Sequence, residues 1–195
     1  MSQPRMTVGQ AALLGLMHRY LAGLMDPFVS LLEIHKLMYF MQEAGEELKL
    51  RYTKGLYGPY AVNICHVLSN IEGHFIQGYA DAEDAVDKQI ELLPTAVDQA
   101  TVFLDRHPDT RRRFDQVADL MEGFETSFGM ELLATVHWVA TREGGGTVER
   151  AIAKTHAWND RKRMCEPAQI RVAWTMLQRK GWLSRAEEGT RDACN

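Results

Sequence analysis

Apolar residues recur every three or four positions along this chain, between residues that start and stop helices, and that pattern constrains the fold more than any other feature. Thr7 and Gln10 fit a reciprocal cap, in which each side chain satisfies a free backbone N–H at a helix start. Leu13, Leu16, Met17, Tyr20 and Leu24 follow at helical spacing, and Asp26-Pro27 ends the run. Ser30 and Glu33 repeat the cap ahead of Ile34, Leu37, Met38 and Met41, with Gly45 placed as a left-handed stop. Pro59 is expected to open a third helix that buries Tyr60, Ile64, Val67, Leu68 and Ile71 and stops at Gly73. Further on, helices are predicted from Thr95 to His107-Pro108, from Asp109 to Phe124, from Ser127 to Thr141 and from Thr147 to Ala157. Pro167 opens a last one, with Ile170, Ala173, Trp174 and Leu177 inward and Gly181 at its end.

Strand periodicity is scarcer. Leu48 to Tyr52 alternates apolar and basic residues, and Phe75 to Tyr79 and Gln89 to Leu92 are short apolar runs that would complete a small antiparallel β-sheet. The expected fold is therefore mainly α (α+β), a single helical domain over residues 1–186, with a polar tail at 187–195. The Gly181-Trp182 ending also fits a winged-helix-like C-terminal end. Gly144-Gly145-Gly146 reads as a flexible joint. A chain of 195 residues buries roughly 70% of its unfolded surface, so no disulfide or metal is needed to fold it.

Several function classes recede on composition. No apolar run reaches the 18 or so residues that a membrane span needs, and Met1 to Met6 lacks the order of a secretory signal. The three cysteines are far apart with no Cys-x-x-Cys pair, which predicts reduced thiols and a cytoplasmic location. A net charge of −4 weighs against a general nucleic-acid binder, whose affinity comes mostly from phosphate contacts.

No catalytic motif is complete. Phosphate-cradling glycine loops, a G-x-S-x-G turn and an H-E-x-x-H helix are all missing. Cys65 and His66 are adjacent, so on a helix they point about 100° apart and do not face each other. Glu72-Gly73-His74 offers an acid/base pair, but reads better as a capped helix end with polar flanks, since acid/base chemistry needs a pocket that the sequence does not show. Arg111-Arg112-Arg113 and Arg161-Lys162-Arg163 suit phosphate or simply a solvated helix surface. Asn63, His66 and Asn70 share one helix face, with Tyr57 and Tyr60 at its mouth, as a recognition surface or an ordinary exposed one. No catalytic residue, metal or cofactor is assigned.

The ordered motifs Lys36-Leu37-Met38-Tyr39-Phe40-Met41-Gln42-Glu43-Ala44-Gly45, Tyr57-Gly58-Pro59-Tyr60-Ala61, Glu72-Gly73-His74 and Gly78-Tyr79 resemble the C-terminal domain of the DarG antitoxin family. Glu122-Gly123-Phe124-Glu125, the run Glu131 to Ala140 and Gly181-Trp182 extend the resemblance over roughly Gln10 to Leu183. The Lys-Leu-x-Tyr-Phe and Tyr-Gly-Pro-Tyr pieces are also similar to the Panacea antitoxin domain. The resemblance implies a non-enzymatic, toxin-binding half without the macrodomain that removes ADP-ribose. Its partner would be a DarT-like toxin, a DNA ADP-ribosyltransferase whose single-stranded DNA site it would block by DNA mimicry. Nucleic acid is then not expected as the main ligand. Candidate contact residues are Lys36, Tyr39, Tyr57, Tyr60, Asn63, His66, Glu72 and His74, with the acidic set Asp81, Glu83, Asp84 and Asp87. Two other readings stay open: a DNA-binding regulator of its own operon, and a hydrolase that removes ADP-ribose from DNA.

Overall fold

A computed structural model describes residues 4–24, 26–79 and 85–183. It is mainly α with a small antiparallel β component, as the periodicity predicts. The elements are α1 (Val8–Leu24), β1 (Phe28–Ser30), α2 (Leu31–Glu43), β2 (Tyr52–Gly55), β3 (Gly58–Ala61), α3 (Ile64–Ile71), β4 (Ile76–Gln77) and β5 (Gln89–Leu92). There follow α4 (Pro94–Asp105), α5 (Pro108–Met121), α6 (Ser127–Arg142), α7 (Val148–His156), α8 (Asp160–Arg163) and α9 (Pro167–Arg179). The chain forms two compact units, Met1–Ala134 and Thr135–Asn195.

In the first unit α1 packs on α2, α4 and α5. Leu13, Leu14, Leu16 and Met17 are fully buried there, and a Cβ at Gly15 would press on the Phe114 ring at 2.9 Å, so the glycine permits the close approach of α5. On α2, every residue from Leu31 to Met41 is buried, polar ones included. The predicted cap at its start is present: Ser30 Oγ accepts from Glu33 N–H at 3.3 Å, and Glu33 Oε2 accepts from Ser30 N–H at 2.6 Å. The same buried carboxylate accepts from Tyr20 Oη at 2.8 Å and Ser127 Oγ at 2.7 Å, so it ties α1 and the first turn of α6 to α2.

The strands differ in part from expectation. β5 is the centre of a three-stranded antiparallel sheet, with β1 on one side (Val29 opposite Ile90) and β4 on the other (Ile76 opposite Leu92). Leu48 to Arg51 does not join it. Leu50 instead gives its N–H and C=O to the Gln42 side chain at 2.8 and 3.0 Å, and Lys49 takes φ 58°. Only Tyr52 of that run enters a strand, in the separate β2–β3 hairpin, where it faces Ala61. Pro59 lies in β3 rather than opening a helix; an edge strand tolerates a residue with no N–H to donate. The helix begins later, at Ile64.

In the second unit, Gly144 takes φ 71° and Gly145 N–H donates to Val139 C=O at 2.9 Å. A Cβ at Gly145 would lie 2.7 Å from that oxygen, so the triple glycine is the tight stop of α6 rather than a loose joint. Asn159 caps the short α8 by accepting from Lys162 N–H at 2.9 Å. Lys162 points inward and is buried, while Arg161 and Arg163 are exposed. Among the described residues no strand follows α9. Gly181 (φ 77°) turns the chain there, and Trp182 N–H returns to Leu177 C=O at 2.8 Å. No helix among the described residues is long and apolar enough to cross a membrane.

Candidate functional site

Four of the motif residues meet where α2 packs against the β2–β3 hairpin. Lys36, only 2% exposed, extends from α2 and donates from Nζ to Pro59 C=O at 2.6 Å. His35 lies beside it. Its Nδ1 accepts from Ala61 N–H at 3.1 Å, and its ring stacks on Tyr60 with centroids 4.2 Å apart. Tyr52 Oη donates to His35 C=O at 3.1 Å, and its ring meets Tyr39 edge-on at 5.2 Å. Tyr39 is fully buried, Tyr60 is half-buried, and Tyr57 sits half-buried in the turn between the strands.

Burial sets the protonation here. Desolvation, helped by the neighbouring Lys36 cation, lowers the His35 pKa to about 3. Burial likewise pushes the Tyr52 hydroxyl well above its ordinary value. Because Nδ1 accepts from Ala61, the neutral ring carries its proton on Nε2, which has no hydrogen-bond partner among the described residues. A neutral, enclosed imidazole of this kind anchors a hairpin. It is poorly placed to exchange protons with a substrate near neutral pH.

The other predicted residues are held apart from this cluster. Asn63 brackets the 49–51 segment, accepting from Arg51 N–H at 2.8 Å and donating to Lys49 C=O at 3.0 Å. Asn70 accepts from the Gln10 side chain at 2.9 Å, and of the expected stripe both Asn70 and His66 are exposed. Glu72 accepts from Gly78 N–H and Tyr79 N–H, both at 3.1 Å, so it closes the turn into β4; His74 is half-buried in that turn. Asp87 is exposed, and Asp81, Glu83 and Asp84 lie outside the described residues.

Sequence reasoning missed two features. His35 gives no signal beyond its place next to the Lys36 motif. The second is a groove of about 370 Å³ lined by Arg19 and Gly23 of α1 and by Asp115, Asp119, Glu122 and Glu125, whose carboxylates lie along the end of α5 and the residues just after it. Glu125 Oε2 accepts from Gly123 N–H at 2.7 Å, and Asp115 pairs with Arg111 at 3.3 Å. Among the described residues no group of three or more His, Cys, Asp or Glu side chains is arranged to hold a metal.

No family model matches the chain. It is 41% identical over 187 residues to a DNA ADP-ribosyl glycohydrolase of Thermus aquaticus, an alignment that takes in 96% of this chain and 51% of that protein. It is also 41% identical over 170 residues to proteins of the same name from Mycobacterium bovis and Mycobacterium tuberculosis, covering 81% of this chain and 48% of each. The chain thus spans about half the length of the curated relatives it matches. Their name corrects the expectation drawn from the antitoxin resemblance. That expectation was a non-enzymatic domain with a DarT-like toxin as partner and without nucleic acid as its main ligand. The relatives are named for an enzyme that works on ADP-ribosylated DNA. Of the readings left open by the sequence, the hydrolase is the one they favour. Over nearly its whole length, the chain is similar to half of a DNA ADP-ribosyl glycohydrolase.

Proposed function

We propose that this chain works in the hydrolytic removal of ADP-ribose from DNA. The observation that carries the reading is the 41% identity with the Thermus aquaticus glycohydrolase across 96% of the chain. Such a hydrolysis needs a group to activate water and another to stabilise the departing base or sugar. The groove lined by Arg19, Asp115, Asp119, Glu122 and Glu125 offers carboxylates beside a guanidinium that suits a pyrophosphate. It is the better candidate for the chemistry than Lys36 and Glu72, whose polar atoms are engaged in holding the fold, or than Tyr39, which is fully buried. DNA as substrate, with Cys65 and Cys165 as free thiols, fits a reducing compartment that contains DNA, which in a bacterium is the cytoplasm.

The test is release of ADP-ribose from a modified oligonucleotide. The chain is incubated with it alone, and then together with the half of the Thermus aquaticus relative that it does not match. Release by the chain, or a rate in the mixture above that of the other half by itself, supports the proposal. No release in the first arm and no gain in the second overturns it. Asp119→Asn and Glu122→Gln are expected to lower that rate at least tenfold if the acidic groove holds the substrate.

A further inference from the structure

The two units carry opposite charge. Residues 1–134 contain 11 Lys and Arg against 19 Asp and Glu, whereas residues 135–195 contain 11 against seven. The whole-chain value of −4 hides a basic unit of about 60 residues. Within it, α9 is the clearest carrier of the excess. It holds Arg171 and Arg179 and no carboxylate, and its Ile170, Ala173, Trp174 and Leu177 fill the buried stripe. Arg171, Val172, Thr175 and Arg179 are exposed on the opposite side. Arg171, Thr175 and Arg179 follow one another at four-residue intervals, so they line up along the helix. With Val172 and Met176 they form an open groove of about 250 Å³.

Three details favour a ligand over plain solvation. Val172 is 60% exposed although the buried stripe of the helix is already complete. Arg179 has no ion-pair partner among the described residues. Arg171 meets Glu149 at 3.3 Å with both side chains more than half exposed, an attachment weak enough to exchange for a phosphate. Eight residues of helix also separate the two arginines by about 12 Å along the axis. The major groove of duplex DNA is about 12 Å wide, so the pair can reach phosphates on both of its walls.

We propose that the outward face of α9 is a DNA-docking surface, with Arg171 and Arg179 on phosphates, Thr175 between them and Val172 against the sugar or base edges. This deepens the reading of the chain as one that acts on DNA, and it rests on that reading. The 195-residue chain is titrated into a fluorescein-labelled, unmodified 20-base-pair duplex, and anisotropy is followed between 50 and 200 mM NaCl. Arg171→Ala with Arg179→Ala is expected to weaken binding at least tenfold and to reduce the slope of log K against log salt by about 2, at about 0.9 per phosphate. Thr175→Glu, which leaves both arginines in place, is expected to weaken it at least fivefold. Arg112→Ala, an exposed cation of the first unit, should leave binding unchanged. Absence of wild-type binding at 50 mM salt overturns the proposal, and so does wild-type affinity in the double variant. The duplex carries no ADP-ribose. Binding lost with ADP-ribose release intact therefore sinks the docking surface alone, while binding intact with no release sinks the hydrolytic reading alone.

Discussion

Burial of His35 and His137 couples folding to protons. Both rings are held neutral, with pKa values of about 3 and about 4, lowered first by burial and then by Lys36 and Arg142 respectively. In the unfolded chain each returns to about 6.5. A lowered native value means that the unfolded state binds protons first on acidification. This stability is complete above pH 6.5 and is lost progressively as the pH falls toward 3 for His35 and toward 4 for His137. At pH 5 the loss is about 2 kcal/mol for each ring. Urea midpoints at pH 7.5 and 5.0 should differ accordingly. His35→Asn should start lower at pH 7.5 and show a shallower fall between the two. Equal pH dependence in the variant would disprove the assignment. Glu33 is the other telling residue. Its carboxylate takes hydrogen bonds from Tyr20, Ser30 and Ser127, and Glu33→Ala should cost roughly 3 kcal/mol of unfolding free energy, since it strands buried donors on three segments. The capping role of Glu33 was legible in the Ser30-x-x-Glu33 spacing. Its bonds to Tyr20 and Ser127 were not, because they join residues 13 and 94 positions away.

At the scale of elements, helices were legible and strands only in part: Phe75 to Tyr79 and Gln89 to Leu92 hold β4 and β5, whereas β1 and β3 were not read. The helices carry their own signals: apolar spacing, caps at Ser30 and Thr147, and prolines at the starts of α4, α5 and α9. β1 is only three residues long, and β3 contains a proline, so neither offers a run from which alternation can be read. Register is instead fixed by partners distant in sequence, as where Phe28 faces Glu91. The same limit applied to the candidate site. Lys36, Tyr39, Tyr57 and Tyr60 were identified from their motifs, but α2 is buried all round, and only packing decides that Lys36 and Tyr39 face inward. Gly78 tests the sheet directly. It takes φ 111°, and a Cβ there would overlap the Gln89 carbonyl oxygen across the strand pair. Gly78→Ala should destabilise the chain by about 2 kcal/mol or more, read as a lower thermal midpoint, with the β4–β5 amides losing most hydrogen-exchange protection. Unchanged protection there would contradict the packing described.

Taken whole, the molecule hid its charge pattern behind an average. Helical class followed from periodicity summed along the chain, but a net charge of −4 concealed a sign change between residues 1–134 and 135–195. Sequence reading treated Arg161-Lys162-Arg163 as one cluster, whereas the fold sends Lys162 inward, keeps Arg161 and Arg163 exposed and adds Arg171 and Arg179 of α9 to the exposed cations. Charge segregated in this way gives each copy two units of opposite sign. In dilute buffer, acidic units should seek the basic units of neighbours, and the solution should scatter more light as protein concentration rises at 10 mM salt. Ions at 200 mM shorten the reach of that attraction to less than about 8 Å, and the scattering should return to that of separate molecules. Clear solutions at both ionic strengths would mean that the oppositely charged units of neighbouring copies do not find each other.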